Sequence, residues 1–126
     1  MLKVVYNDPK HGTNGEIILD LREFFPTKKT RIRQLYKKFF LIGTEPADYY
    51  VDECLKVLDD MINEEGFVHA AAIAKAQESL EWAKEGSYPT QPEAVKKAEA
   101  RLKKVRQPVT MLEENRELLN ELAGRA

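Results

Sequence analysis

The sequence predicts an α-dominant α+β fold: an N-terminal β-hairpin followed by four or five amphipathic helices in a small bundle. Three observations carry that expectation. Residues 2–6 (LKVVY) and 16–21 (EIILDL) are short runs rich in Val, Ile and Leu, and Ile17, Leu19 and Leu21 alternate with residues for the opposite face. From Thr27 onward apolar residues recur at three-and-four spacing, the period of an amphipathic helix. Charged residues make up 33% of the chain, above the roughly 25% of typical soluble domains, which suits helices with charge-laced outer faces.

With 126 residues the chain is read as a single domain, 1–126, large enough to bury about two-thirds of its extended surface. Its parts are a β-hairpin (1–21), a charge-segregated helical hairpin (27–65), a second helical hairpin (67–106) and a short C-terminal helix (108–124). No apolar run approaches the ~20 residues of a spanning helix, and MLKVVYNDPKHG lacks the layout of a secretory signal. The lone cysteine, Cys54, can form no internal disulfide, which fits a reducing compartment. A cytoplasmic location is therefore expected.

The first two strands are joined by NDPKHGTNG, a cluster of turn formers ending in Asn14-Gly15. Two strands alone are marginal in water, so the hairpin must lie on helices or pair with something else. Thr27 is placed to cap a first helix running to about Ile42, with Ile32, Leu35, Tyr36, Phe39 and Phe40 on one face. Thr44 and Pro46 open a second helix that ends near Glu65, on a stripe from Ala47 through Tyr50, Cys54 and Leu58 to Ile62. Gly66 then interrupts, and an Ala-rich third helix ends at Gly86. Thr90-x-x-Glu93 is a capping box for a fourth helix carrying Val95, Ala98, Leu102 and Val105. Pro108 breaks or kinks that run, and Thr110-x-x-Glu113 is placed to cap a last short helix with Leu112, Leu118, Leu119 and Leu122.

Charge is divided between these helices. The stretch PTKKTRIRQLYKKFF (26–40) holds six Lys or Arg and no acid, and Lys29, Arg33 and Lys37 form a row at helical spacing. Residues 45–65 hold eight acids against Lys56, a net of −7. A short connection makes two such helices antiparallel neighbours, so the basic helix is expected to find its counter-charge along the acidic one. The fourth helix is basic again, with Lys96, Lys97, Arg101, Lys103, Lys104 and Arg106 against Glu93 and Glu99. The whole chain carries only −1, so any pull on polyanions must come from a local patch.

Equipment for catalysis is thin. His11 lies near Asp8 in the hairpin loop, a pair that suits ordinary turn chemistry better than proton transfer. His69, near the start of an Ala-rich helix, reads as a partly buried packing residue or a passenger of the helix start. No His, Cys and acid cluster has metal-ligand spacing, and Cys54 sits on an apolar stripe where a buried thiol is the default. Neither an enzyme, a metal nor a cofactor is expected.

Association is better supported. The acidic helix is a rod able to occupy a basic groove on another protein, with Tyr49, Asp52, Asp59 and Asp60 as its contact residues. The open edges of the hairpin offer a template for an added strand. The expected function is a non-catalytic accessory protein that docks on another protein, with an inhibitor or regulator from a phage or mobile element as the type. The alternative is nucleic-acid binding through Lys29, Arg33, Lys37, Lys97, Arg101 and Lys104. Homodimerisation is compatible with either reading.

Overall fold

The computed structural model describes residues 1–8, 10–85 and 92–125 and is α+β, a two-stranded antiparallel hairpin followed by four helices. The elements are β1 (Leu2–Asp8), β2 (Thr13–Leu19), α1 (Leu21–Phe24), α2 (Lys29–Leu35), α3 (Ala47–Glu85) and α4 (Pro92–Leu122). The last turn of α2 widens into a π-helical turn, Tyr36–Phe40, closed by the Leu41 N–H donating to the Tyr36 carbonyl at 3.1 Å. They form two compact units, Met1–Ile62 with Met111–Ala126, and Asn63–Thr110.

The first unit holds the main core. β1 sends Leu2 and Val4 inward, and Leu21, Phe25, Ile32, Leu35 and Phe40 join them from α1, α2 and their connections. The first part of α3 adds Tyr50, Val51, Cys54 and Leu58, and the end of α4 adds Leu112, Leu118 and Leu119. The hairpin therefore rests on helices, as its small size requires. Cys54 is fully buried, and desolvation first, with Glu53 second, pushes its thiol up to about 12. At neutral pH it is a neutral packing group. Ellman's reagent should label it only at the rate of unfolding; rapid stoichiometric labelling of the folded chain would contradict this burial.

Register places the turn differently from the sequence expectation. β1 and β2 pair from Leu2–Leu19 to Asp8–Thr13, so Asn14-Gly15 lies inside β2 and Gly12 takes the positive φ of +62° at the turn. Gly15 is needed because the Tyr6 ring lies across it: a Cβ there would stand 2.6 Å from the Tyr6 hydroxyl. Past the helices, the chain returns to β1. Thr44 N–H donates to the Val5 carbonyl at 2.8 Å, Asn7 N–H donates to Ile42 at 3.2 Å, and Tyr6 bridges Gly43. The outer edge of β1 is thus covered along this stretch.

Helix boundaries also differ. Gly66 does not end a helix, and the expected second and third helices are one, α3. A single glycine costs a helix about 1 kcal/mol, and good helix formers on both sides (Glu64, Glu65, Ala70, Ala71) outweigh it. Pro108 likewise stands inside α4, which merges the expected fourth and fifth helices. The lost hydrogen bond costs about 3 kcal/mol and is offset by a helix whose following residues Val109 and Leu112 are buried. The expected end at Gly86 and the Thr90 capping box lie outside the described residues. A Cβ at Gly66 would meet nothing within 4 Å, so Gly66→Ala should raise the unfolding free energy by about 0.5–1 kcal/mol. A urea midpoint that falls would contradict a helical Gly66.

The second unit is built from the remainder of α3 and the first part of α4. Among its described residues Ala76 and Val109 are the buried hydrophobic ones, with Ile73, Leu80, Val95, Ala98, Leu102 and Val105 half-buried.

Candidate docking site at an open strand edge

The start of α2 is set from a distance. Its N-cap is Lys28, with no side-chain hydrogen bond, and not Thr27 as expected. Thr27 is instead gripped by the buried Asn115 of α4, whose Oδ1 accepts from the Thr27 N–H at 2.9 Å and whose Nδ2 donates to the Thr27 carbonyl at 3.0 Å. This amide mimics a strand pairing and fixes where α2 begins. The π-helical turn then carries Lys37 and Lys38 outward, leaves Phe39 half-buried and drives Phe40 into the core.

The expected charge seam between α2 and α3 does not form as ion pairs. Among the described residues, no carboxylate lies within 4.0 Å of Lys28, Lys29, Arg31, Arg33, Lys37 or Lys38. Three acids of α3, Asp48, Asp52 and Asp59, find partners on the distant C-terminal segment, while Glu53 pairs with Lys56 and Glu65 with His69 inside α3 itself. Arg125 reaches Asp52 at 2.6 Å and Asp48 at 3.6 Å, and Arg116 reaches Asp59 at 3.2 Å. These are exposed pairs, each individually weak, yet they change both surfaces. The acidic face is partly neutralised from within, while the cationic face of α2 is left to solvent.

Of the residues proposed for an acidic docking face, Tyr49 is 48% exposed with its ring edge-on to Tyr50, and Asp60 is exposed without an ion pair among the described residues. Asp52 and Asp59 are the two already engaged by arginine. Of the residues proposed for nucleic acid, Lys29, Arg33 and Lys37 lie exposed in the first unit, and Lys97, Arg101 and Lys104 lie exposed in the second.

Beside α2 the strand edge is open. An antiparallel ladder alternates inward and outward main-chain groups. Val5 and Asn7 bond outward to residues 42–44, so Leu2, Val4, Tyr6 and Asp8 are the β1 residues that bond to β2. Across the ladder, Lys3, Val5 and Asn7 pair with Ile18, Glu16 and Asn14. The N–H and C=O groups of Asn14, Glu16 and Ile18 therefore point away from β1, and among the described residues no further strand meets them. Ile18, at 61% exposed, marks this edge.

The open edge borders a groove of about 500 Å³. Ile17, Leu19, Phe24, Leu35 and Phe39 form its apolar lining, and Arg31, Gln34 and Lys38 line its helix side. The Arg31 guanidinium stands 5.1 Å from the Phe24 ring centre, which orients its charge over an apolar surface. Phe39 and Lys38 also belong to a neighbouring cleft of about 480 Å³ with Tyr6, Lys10, His11 and Lys37. There the His11 Nδ1 lies 2.7 Å from the Asp8 carboxylate, whose pKa it holds below the usual value. The pair forms at an exposed turn. Three or more His, Cys, Asp or Glu side chains do not gather into a cation-sized cluster among the described residues, and no helix among them is long and apolar enough to cross a membrane.

This arrangement can do three things at once. Unpaired main-chain groups can hydrogen-bond an extended chain, the apolar lining can take its alternate side chains, and the cations can meet its carboxylates. Sequence reasoning named the hairpin edges but not the groove, because Arg31 and Phe24 meet Leu19 only in three dimensions. No protein-family model, curated protein or solved structure matches this chain.

Proposed function

We propose that this protein is a non-catalytic accessory module that docks an extended, acidic segment of another protein as an added strand along β2. The observation that carries the reading is the coincidence of the unpaired Asn14, Glu16 and Ile18 edge with a groove bearing Arg31 and Lys38. The sequence also favours protein docking, there through the acidic face of α3 rather than the β2 edge. The acidic surface of α3 is the weaker candidate, since Arg116 and Arg125 already occupy Asp59 and Asp52. An inhibitor or regulator role suits a module of this kind.

The test uses fluorescein-labelled peptides in which Val or Leu alternates with Asp or Glu, followed by anisotropy. Ile18→Pro removes an outward N–H while sparing the ladder to β1, and should weaken binding at least about tenfold, the effect of 1.4 kcal/mol. The pair Arg31→Glu and Lys38→Glu should abolish it and should also shift preference toward Lys-containing peptides. Binding unchanged by both variants would reject the groove.

A second reading rests on a separate observation. Lys28, Lys29, Arg33 and Lys37 have no carboxylate partner among the described residues, which is what a phosphate-binding face requires. It predicts a duplex mobility shift that is lost on Lys29→Glu, Arg33→Glu and Lys37→Glu together and that weakens steeply with salt.

A further inference from the structure

We infer that the second unit pairs with a second copy of this chain through an exposed stripe on α3, in antiparallel orientation. The stripe uses residues outside the β2 groove and does not depend on it. Phe67, Val68 and Trp82 are 86%, 70% and 71% exposed, an unusual concentration of large apolar surface for one helix face. At helical spacing Phe67, Val68, Ala71, Lys75, Glu78 and Trp82 share one side of α3. Ala76, Ile73 and Leu80, buried or half-buried, lie on the other. The run Val68, Ala71, Lys75, Glu78, Trp82 alternates steps of three and four, the seam of a coiled coil.

Shape and charge select the occupant. Set two such helices antiparallel with Lys75 opposite Glu78 of the second copy. The twofold axis then places Glu78 opposite the second Lys75, so both central charges are paired. One turn further out, in opposite directions along the two helices, Ala71 of each copy falls opposite Trp82 of the other. The small residue leaves room for the indole, and Phe67 and Val68, one turn before Ala71, wall that space. The largest side chain, Trp82, thus meets the small Ala71, the size alternation that helix pairs need. Within one chain Lys75 and Glu78 join no ion pair among the described residues, so both are available. Parallel pairing would instead put Lys75 on Lys75 and Trp82 on Trp82.

One helix pair buries an area near or below the low end of the roughly 1,200–2,000 Å² of stable interfaces, so the equilibrium should fall at micromolar concentrations. Sedimentation velocity of the full chain should show monomer passing to dimer between about 1 and 200 µM. Phe67→Ser with Trp82→Ser should stay monomeric with unchanged helical circular dichroism, because both residues are exposed. Lys75→Glu and Glu78→Lys should each weaken the dimer several-fold, and the two together in one chain should restore it. A wild-type chain that remains monomeric across that range overturns the inference, even if the stripe then binds vesicles or another protein. So does a dimer that survives the double serine variant, or a charge swap that fails to restore association.

Discussion

Phe40→Ala should lower the unfolding free energy by about 3–5 kcal/mol, a large share of the roughly 5–15 kcal/mol that holds a domain of this size. Phe40 is fully buried, stacks on Tyr50 at 5.2 Å between ring centres and meets the Tyr36 ring at 6.3 Å. It sits where the hairpin, α2 and α3 share one core, and its neighbour Phe39 lines the groove. Removing the ring leaves a cavity that these elements cannot close without moving, since Tyr50 is itself held by the Glu45 N–H donating to its hydroxyl at 3.0 Å. Urea unfolding should show a lower midpoint with an unchanged slope. A loss below about 1 kcal/mol would mean the π-helical turn does not seat Phe40 in the core.

Asn115→Ala should cost about 2–4 kcal/mol, because it strips partners from both the N–H and the C=O of a part-buried Thr27. Asn115 is 3% exposed, the one buried polar side chain among the described residues. Asn115→Asp adds a pH dependence that an alanine lacks. The buried carboxylate faces the Thr27 carbonyl, so its folded pKa rises above its unfolded value. The destabilisation is therefore present at neutral pH and lessens as pH falls through the raised pKa, when the protonated acid regains a donor. A flat pH profile for Asn115→Asp relative to wild type would contradict the Thr27 contact.

What the sequence made legible was periodic. Alternating Val, Ile and Leu located both strands, although the second runs Thr13–Leu19 rather than 16–21, with Asp20 and Leu21 opening α1. Three-and-four spacing located every long helical stretch and most of the residues that now form the core, including Ile32, Phe40, Cys54, Leu58 and Leu119. Local punctuation misled where it was weighed without its surroundings. Gly66 and Pro108 carry real costs of about 1 and 3 kcal/mol, but each interrupts a helix long enough, and at Pro108 buried enough, to absorb them. The short helix α1 and the π-helical turn have no strong local signature, being set by Asp20 capping Arg22 and by the packing of Phe40.

Charge was legible in amount and not in pairing. The acids at 48, 52 and 59 and their arginines at 125 and 116 are far apart in sequence, so nothing local joins them. Asn115 was silent for the same reason: its partner Thr27 is 88 residues away. The groove combines a strand edge, an Arg31 over Phe24 and a Lys38 on a π-helical turn, three features that no spacing rule links.

Amide hydrogen exchange read by NMR, with and without an alternating Val/Glu peptide, tests the docking account most directly. In the free protein the amides of Asn14, Glu16 and Ile18 should exchange fast while those of Gly15, Ile17 and Leu19 are protected. With peptide bound, the first set should become protected as well. Protection that leaves residues 14–18 unchanged, or shifts that gather on Tyr49, Asp52 and Asp60 instead, would contradict it.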